Sequence, residues 1–421
     1  MNTTTSSHPT ARFTLPAEAP AAARAVFKLL DRIEHGRIEI HWPDGRHSTH
    51  PAHRPGTDTT RATLHIHRWR VFDRTIQSGD IGFAESYIDG DWSTPDLSAL
   101  LGLVIRNRNA LEDVLYGSWW GSLLYRVRHW LNRNSRSGSA RNIHAHYDLG
   151  NAFYQLWLDP SMNYSSAWFE GQTADLARQD LQQGQLAKMR RALDEAQVMT
   201  GSQVLEIGCG WGALAETAAR ERGAHVTGVT LSREQLDWGQ RRLAQAGLNS
   251  QTDLRYQDYR DLAAQHASAP FDAIVSIEMF EAVGRAYWPS YFDTVRQCLK
   301  PGGQACIQTI TIRDDLFERY ANSSDFIQQY IFPGGMLPSP GVFEAEARKA
   351  GLEVVKRMAF GPDYAETLRR WRAAFAAREA EVRQLGFDTR FIRIWTFYLC
   401  YCEAAFDHGN TNVMQFTLRR P

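Results

Sequence analysis

The stretch Val204-Leu205-Glu206-Ile207-Gly208-Cys209-Gly210-Trp211-Gly212 decides the fold of this chain. Its apolar start predicts a buried strand, its glycines predict a tight turn, and a helical pattern follows over Ala213–Arg222. A second apolar run, residues 224–230, predicts the next strand. Glycine lets a backbone turn tightly and approach a ligand closely, so the unit indicates a ligand-binding loop of an α/β domain. The alternative is an ordinary strand-to-helix turn.

The glycine spacing narrows the choice of ligand. The glycines follow G-x-G-x-G, whereas dinucleotide-binding loops have G-x-G-x-x-G. The second strand also ends without an acidic residue that would hold a ribose. The pattern resembles the S-adenosylmethionine (SAM) loop of class I methyltransferases, in which the backbone approaches the methionine part of the cofactor.

The order of predicted elements beyond this loop is typical of a doubly wound fold. Helical patterns alternate with strand patterns, and a mostly parallel sheet with its ligand crevice at the carboxyl ends of the strands is expected. The strand patterns lie at 203–207, 225–229, 253–256, 272–277 and 304–309.

The first part of the chain predicts a smaller α+β domain. Short strand-like runs, 37–42 and 63–67, alternate with turn residues between Phe27 and Ser93, and a helical stretch follows over 97–131. The predicted organisation is a disordered tail at 1–20, an accessory or lipid-binding domain at 21–131, a linker at 132–141 and a catalytic domain at 142–421.

Composition limits the classes of function. The chain has 47 basic and 47 acidic residues, which argues against binding nucleic acid along its whole surface. Its five cysteines show neither metal-ligand nor disulfide spacing, so no metal and a reducing compartment are expected. The N-terminus has no apolar signal core, and no apolar run reaches membrane-spanning length. A cytoplasmic protein is therefore predicted.

Residues 119–141 form an unusual segment with five arginines and no acidic residue. On a helical wheel its tryptophans and leucines share one face, flanked by Arg126 and Arg128. Such a helix suits the surface of an anionic membrane, here the inner face. An amphipathic helix docked on its own protein core has the same pattern.

Several phrases together resemble the cyclopropane-fatty-acyl-phospholipid synthase family of SAM-dependent enzymes, over roughly residues 80–420. Beside the glycine loop they are GFAESYIDGDW (82–92), HYDLGN (146–151), MNYSSAW (162–168), QDYRD (257–261), MFEAVG (279–284) and YIFPGG (330–335).

The resemblance implies methyl transfer to the cis double bond of an unsaturated acyl chain in a membrane phospholipid, at a membrane surface. The carbocation formed by such an attack needs a dry site lined with aromatic faces, which stabilise cations by about 0.5–2 kcal/mol each. In the family a bound bicarbonate then removes a proton to close a cyclopropane ring. The alternative product is a methyl-branched or methylene acyl chain without a ring.

The resemblance also implies which residues form the bicarbonate cage. The family glutamate and tyrosine correspond to Glu281 and Tyr364, whereas the family cysteine and histidine are replaced by Ser166 and Gln308. Serine and glutamine can bind an anion but cannot take up a proton as histidine does, which puts ring closure in doubt. Glu278 is either a replacement base or, more ordinarily, a solvated acid at the start of a helix.

The family's cofactor contacts correspond to a further set of residues. They are Tyr164, Ser165, Glu206, Gly208, Gly210, Gly212, Thr230, Ser232, Gln235 and Tyr259. Cys402 corresponds to a cysteine proposed as a nucleophile, although its apolar neighbours favour a buried small side chain.

Two other classes of function remain open. One is methylation of a small soluble metabolite, which would not need the long N-terminal part with its Trp/Arg segment. The other is a lipid-binding protein that has lost its chemistry, against which the intact glycine loop and Glu281 argue. The sequence leaves the oligomeric state open, with a homodimer as one arrangement.

Overall fold

A computed structural model of the protein describes residues 15–51, 60–108, 111, 149–171, 178–266 and 268–421. The chain divides into two compact units, Met1–Gly121 and Ser122–Pro421. The Trp/Arg segment at 119–141, the predicted linker and most of the predicted tail lie outside the described residues. The predicted domain boundaries therefore stay a prediction.

The N-terminal unit contains a four-stranded sheet. Its strand order is β2-β1-β3-β4, with β1 antiparallel to β2 and parallel to β3. Alternate side chains of the first three strands are buried, as expected where one face packs on a core. The elements are α1 (Ala21–Leu30), β1 (Arg37–His41), β2 (His47–Pro51), β3 (Arg61–Ile66), α2 (Arg70–Ile88), β4 (Trp92–Ser93) and α3 (Leu97–Arg106).

Helix α2 corrects the expectation of strands and turns throughout this region. It is 19 residues long and has a kink at Gly79, whose φ is +58°. A Cβ on Gly82 would lie 2.0 Å from the carbonyl oxygen of Arg74, so only glycine lets the two halves pack so closely. The two glycines resemble turn residues in sequence, and tertiary packing overrides that local signal.

The C-terminal unit is built on a seven-stranded sheet. Its order is β10-β11-β9-β8-β5-β6-β7, parallel from β9 to β7, with β11 antiparallel to β9 and β10. This topology confirms the predicted class I methyltransferase fold, and all five predicted strands are present. The strands are β5 (Gln203–Ile207), β6 (His225–Thr230), β7 (Thr252–Tyr256), β8 (Phe271–Ile277), β9 (Leu299–Ile312), β10 (Glu353–Ala359) and β11 (Thr411–Arg419).

Helices cover both faces of this sheet. Buried apolar clusters lie on its two sides, one centred on Ile274 and Phe292, the other on Val275 and Ala218. The α-helices are α4 (Asn151–Gln155), α5 (Leu181–Glu195), α6 (Ala213–Arg222), α7 (Arg233–Gln245), α8 (Leu262–His266), α9 (Trp288–Cys298), α10 (Asp314–Ala321), α11 (Phe326–Tyr330), α12 (Pro340–Lys349), α13 (Gly361–Ala377), α14 (Glu379–Gln384) and α15 (Thr389–Asp407).

The strand order reverses between β5 and β8, and this is the point at which doubly wound sheets bind ligands. The loops that leave the carboxyl ends of β5 and β8 carry the glycine loop and Glu278, respectively. Among the helices described, none is long and apolar enough to cross a bilayer.

Candidate active site

The glycine loop forms the floor of a cavity at the carboxyl end of β5. Gly208 and Gly210 have φ values of +86° and +50°, a region that side-chain-bearing residues seldom adopt. A Cβ on Gly208 would lie 2.7 Å from Cγ of Met279, whereas a Cβ on Gly210 would enter open space. Gly208 therefore allows the loop to pack on the β8 loop, and Gly210 keeps the cavity open.

Most of the predicted cofactor residues line this one cavity. Those residues are Tyr164, Ser165, Glu206, Gly208, Gly210, Thr230, Gln235 and Tyr259. Gly212 and Ser232 do not line it. A Cβ on Gly212 would lie 3.2 Å from Cα of Gly239, so this glycine serves helix packing. Ser232 Oγ accepts a hydrogen bond from the Gln235 backbone N–H and caps α7.

The lining has the features that a bound SAM requires. Glu206 is buried, its Oε2 has no hydrogen-bond partner in the described part of the chain, and burial raises its pKa well above the usual range. An orphaned polar atom at the edge of a cavity indicates a ligand group that completes its hydrogen bonding. Trp211 forms another wall, fixed because its indole N–H donates to Asn151 Oδ1 at 2.6 Å. These residues fit the predicted cofactor.

Glu278 lies in the same cavity, at the carboxyl end of β8. Its φ is +48°, a left-handed conformation that costs a residue with a side chain about 1–2 kcal/mol and that glycine adopts freely. Its backbone N–H donates to the carbonyl of Gln308 on β9 at 2.8 Å, which holds the turn in place. Backbone strain of this kind is found where the surrounding structure holds a side chain in place for a function, here the Glu278 carboxylate.

Three donors converge on the Glu278 carboxylate. The Tyr364 hydroxyl donates to Oε2 at 2.7 Å, while the Gln308 amide and the Ser166 backbone N–H donate to Oε1 at 2.7 and 2.9 Å. The Ser166 hydroxyl is turned away and donates to the carbonyl of Ala167. Three of the four predicted cage positions are therefore brought together, around Glu278 rather than around Glu281. The expectation of a solvated acid at a helix start is wrong for Glu278.

Glu281 is a second carboxylate, close enough to Glu278 for their charges to interact. Its Oε1 accepts a hydrogen bond from the backbone N–H of Ile310, and its buried Oε2 has no partner within the described ranges. Burial and the nearby charge of Glu278 raise the pKa of Glu281 to about 8. Burial also raises the pKa of Glu278, and the charge of Lys188 and the three donors offset only part of this rise. Since two enclosed carboxylates do not both ionise readily, the proton belongs on Glu281 and the charge on Glu278.

Lys188 supplies a positive charge that sequence reasoning missed. It is completely buried on α5, and burial lowers its pKa to about 8. Its ammonium donates to Ser165 Oγ and Gln185 Oε1, both at 2.5 Å. Gln185 and Lys188 are three residues apart on the buried face of α5, and a lysine at a core position of a helix was the available signal.

Aromatic rings connect the cofactor cavity to the Glu278 cage. The Tyr164 ring is 5.4 Å from that of Trp371, which in turn is 6.1 Å from the Tyr364 ring, measured between centroids. The hydroxyls of Tyr164 and Tyr398 are 2.7 Å apart. The buried Trp371 indole N–H has no partner among the residues described. Aromatic faces such as these suit a transient cation.

Cys402 is half-buried on α15, and burial raises the pKa of its thiol. The protonated thiol is the form expected near neutral pH, and a thiol is a poor nucleophile. The structure thus favours the small-side-chain interpretation of Cys402. In the portion of the chain that is described, no group of three or more His, Cys, Asp or Glu residues is arranged to hold a metal ion.

Comparison with known proteins agrees with this geometry. Residues 134–416 match the family model described as mycolic acid cyclopropane synthetase. The chain is 38% identical over 420 residues to the tuberculostearic acid methyltransferase UfaA1 of Mycobacterium tuberculosis, covering 96% of this chain and 93% of that protein. It is 35% identical to the cyclopropane-fatty-acyl-phospholipid synthase of Escherichia coli, covering 85% of this chain and 88% of the synthase.

Comparison with solved structures also identifies cyclopropane synthases as similar proteins. The cyclopropane synthase MmaA2 of Mycobacterium tuberculosis matches with 30% identity and a TM-score of 0.60, covering 66% of this chain and 97% of that one. The mycolic acid cyclopropane synthase CmaA1, solved with SAH and CTAB, matches with 32% identity, the same TM-score and the same coverage. These matches confirm the resemblance seen in the sequence.

Proposed function

Because the chain belongs to the mycolic acid cyclopropane synthetase family and is a SAM-dependent methyltransferase that acts on lipids, we propose that it methylates the cis double bond of an unsaturated acyl chain in a membrane phospholipid. One observation carries the proposal. A half-buried carboxylate, Glu278, lines the same cavity as the glycine loop, beside a wall of aromatic rings. Alkene methylation needs both a stabilised cation and a proton acceptor, and this cavity offers both.

Each part of the site then has a role. SAM supplies an electrophilic methyl group when bound to the loop of Gly208 and Gly210. The Tyr164 and Trp371 rings face the carbocation that the acyl chain becomes after its π electrons bond to the methyl. Glu278 accepts the proton that the cation loses, and the electrons of that C–H bond form the new carbon–carbon bond. Apolar walls keep water from quenching the cation.

Whether a hydride shift precedes proton loss decides the product. Loss of a proton from the new methyl with closure to the neighbouring carbon gives a cyclopropane. If a hydride first shifts from the methyl-bearing carbon to the neighbouring cation, loss of a proton from the same methyl gives a methylene group. We propose a product without a ring, because Glu278 fills the cage that in the family holds the bicarbonate used for ring closure. The relative that spans 96% of this chain is named a methyltransferase.

Cyclopropane formation is the second candidate. It is favoured by the match to the Escherichia coli synthase, of which the chain covers 88%. That protein is named for fatty-acyl phospholipids, which supports the proposed substrate class for this chain as well.

Mass spectrometry of total fatty acids from cells that express the protein tests the proposal. We expect acyl chains that gain one CH₂ unit and still take up hydrogen on catalytic reduction, because a methylene retains a double bond. A gain of CH₂ that resists reduction would establish the ring instead. Unchanged acyl chains, with SAM bound normally, would refute lipid methylation.

Contact with the membrane is a separate proposal that rests on the sequence of residues 119–141 alone. We expect charge reversal at Arg126, Arg128 and Arg133 to weaken binding to anionic vesicles and to leave SAM affinity unchanged. Each basic residue near such a surface contributes about 1 kcal/mol, and salt screens it. Vesicle binding that is insensitive to both the substitutions and salt would remove this proposal.

A further inference from the structure

The cage that the family resemblance assigns to bicarbonate is filled by the protein itself. A bound bicarbonate would need the Tyr364 hydroxyl, the Gln308 amide and the Ser166 backbone N–H as donors. All three donate to the Glu278 carboxylate, at 2.7, 2.7 and 2.9 Å. Bicarbonate therefore does not fit these residues. We propose that Glu278 takes the place of the external anion as a built-in base, so that turnover requires no bicarbonate.

The orientation of the Gln308 amide supports this assignment, because it is fixed from a distance. Gln308 on β9 lies directly opposite Gln415 on β11. The Arg191 guanidinium, which can only donate, bonds to Gln415 Oε1. The Gln415 amide nitrogen must then donate to Gln308 Oε1, at 3.0 Å, which leaves the Gln308 amide nitrogen to face Glu278. Arg191 thus presents a donor to Glu278 through two glutamines.

This relay is enclosed. Gln308 and Gln415 have no solvent exposure, and the Arg191 side chain is only 10% exposed and paired with Glu195 at 3.1 Å. A buried amide cannot reverse without leaving two groups unpaired, which costs more than the bond itself. The relay therefore holds Glu278 in the form that accepts hydrogen bonds, which is the ionised form that a base needs.

Charge also excludes a second anion. The negative charge of the carboxylate pair belongs on Glu278, which accepts three hydrogen bonds, and the proton belongs on Glu281, which accepts one. A bicarbonate beside an ionised Glu278 would face like charge in enclosed surroundings. The buried Lys188 already offsets the charge of Glu278.

The backbone of Glu278 makes the proposal testable by one substitution. Glycine adopts a φ of +48° without strain, so Glu278→Gly suits the turn and leaves three unpaired donors around the space of the carboxylate. This variant should acquire the anion site that the wild-type protein lacks. Glu278→Gln is the matched control, because it removes the base and keeps the cage filled.

The proposal rests on the proposed function, and two readouts separate them. In thermal unfolding, bicarbonate or formate should raise the Tm of Glu278→Gly in a saturable way and leave the wild type and Glu278→Gln unchanged. This readout needs no turnover. The built-in base would be overturned if bicarbonate raised the Tm of the wild type. It would also be overturned if neither anion changed the Tm of Glu278→Gly.

In turnover assays with unsaturated phospholipid in CO₂-depleted buffer, the wild type should be as active as with added bicarbonate. Both variants should lose about 100- to 10,000-fold in kcat, the usual contribution of a positioned base, with SAM affinity retained. Added bicarbonate or formate should restore only Glu278→Gly. Wild-type activity that requires bicarbonate, or full activity of Glu278→Gly without an anion, would overturn the proposal. A wild type inactive on every lipid alkene would refute the proposed function alone.

Discussion

Removing the Tyr364 hydroxyl should shift the pH dependence of turnover. Tyr364→Phe deletes the donor 2.7 Å from Glu278 Oε2 and keeps the ring that packs on Phe406, 4.4 Å away between centroids. A hydrogen bond to a charged group contributes about 1.5–3 kcal/mol, and each pH unit corresponds to about 1.4 kcal/mol. Because the lost bond stabilised the ionised carboxylate, the acid limb of kcat should move up by about 1–2 pH units.

The assay is release of S-adenosylhomocysteine from an unsaturated phospholipid across a pH series, with SAM affinity measured by calorimetry. Tyr401→Phe is the matched control, since it removes the same hydroxyl from a ring that packs on Phe326 and Phe397. We expect the control to keep the wild-type acid limb. A Tyr364→Phe variant with reduced kcat at every pH and an unshifted acid limb would show that Tyr364 does not act through Glu278.

Three further predictions concern the glutamine relay, the cofactor cavity and Glu281. Gln415→Leu frees the Gln308 amide and should move the acid limb of kcat to higher pH. The control Thr417→Val on the same strand loses only a bond to Glu195 and should leave the acid limb unchanged. Equal pH profiles for the two variants would refute the relay. Gly210→Val fills the open cavity and should abolish SAM binding in calorimetry. The control Gly247→Val, at a similar positive φ with open space around it, should retain SAM binding. Normal SAM affinity in Gly210→Val would contradict the cofactor assignment. Glu281→Gln should gain stability relative to the wild type as pH rises from 4.5 to about 8. Over this range the folded wild type keeps a proton on Glu281 that the unfolded chain has lost, so the wild type loses stability and the variant does not. Parallel plots of Tm against pH for the two proteins would contradict the raised pKa of Glu281.

The central strands of the sheet, such as β5 and β8, were predictable from sequence because they are buried on both faces. Such strands appear as apolar runs, for example at 203–207 and 272–277, and glycines mark the turn where a cofactor approaches. The kinked α2 was missed because Gly79 and Gly82 resemble turn residues until their packing is known.

The composition of the cage was predictable, but its centre was not. Ser166, Gln308 and Tyr364 were identified by resemblance, whereas Glu278 was interpreted as either a replacement base or, more ordinarily, a solvated acid beside Glu281. Its role depends on a positive φ at the end of β8 and on donors that come from 112, 30 and 86 residues away. Sequence spacing reports neither quantity, because both arise from tertiary structure. The partner of Gln308, Gln415, is similarly visible only in the β9–β11 register.

The most direct test of the account is the product of purified protein with SAM and a phospholipid that carries a cis-unsaturated acyl chain, in buffer freed of bicarbonate. NMR and mass spectrometry of the released fatty acid identify the product. We expect full turnover and an acyl chain with one added carbon, a retained double bond and no cyclopropane protons. Turnover that appears only when bicarbonate is supplied, with a cyclopropane as the product, would contradict it.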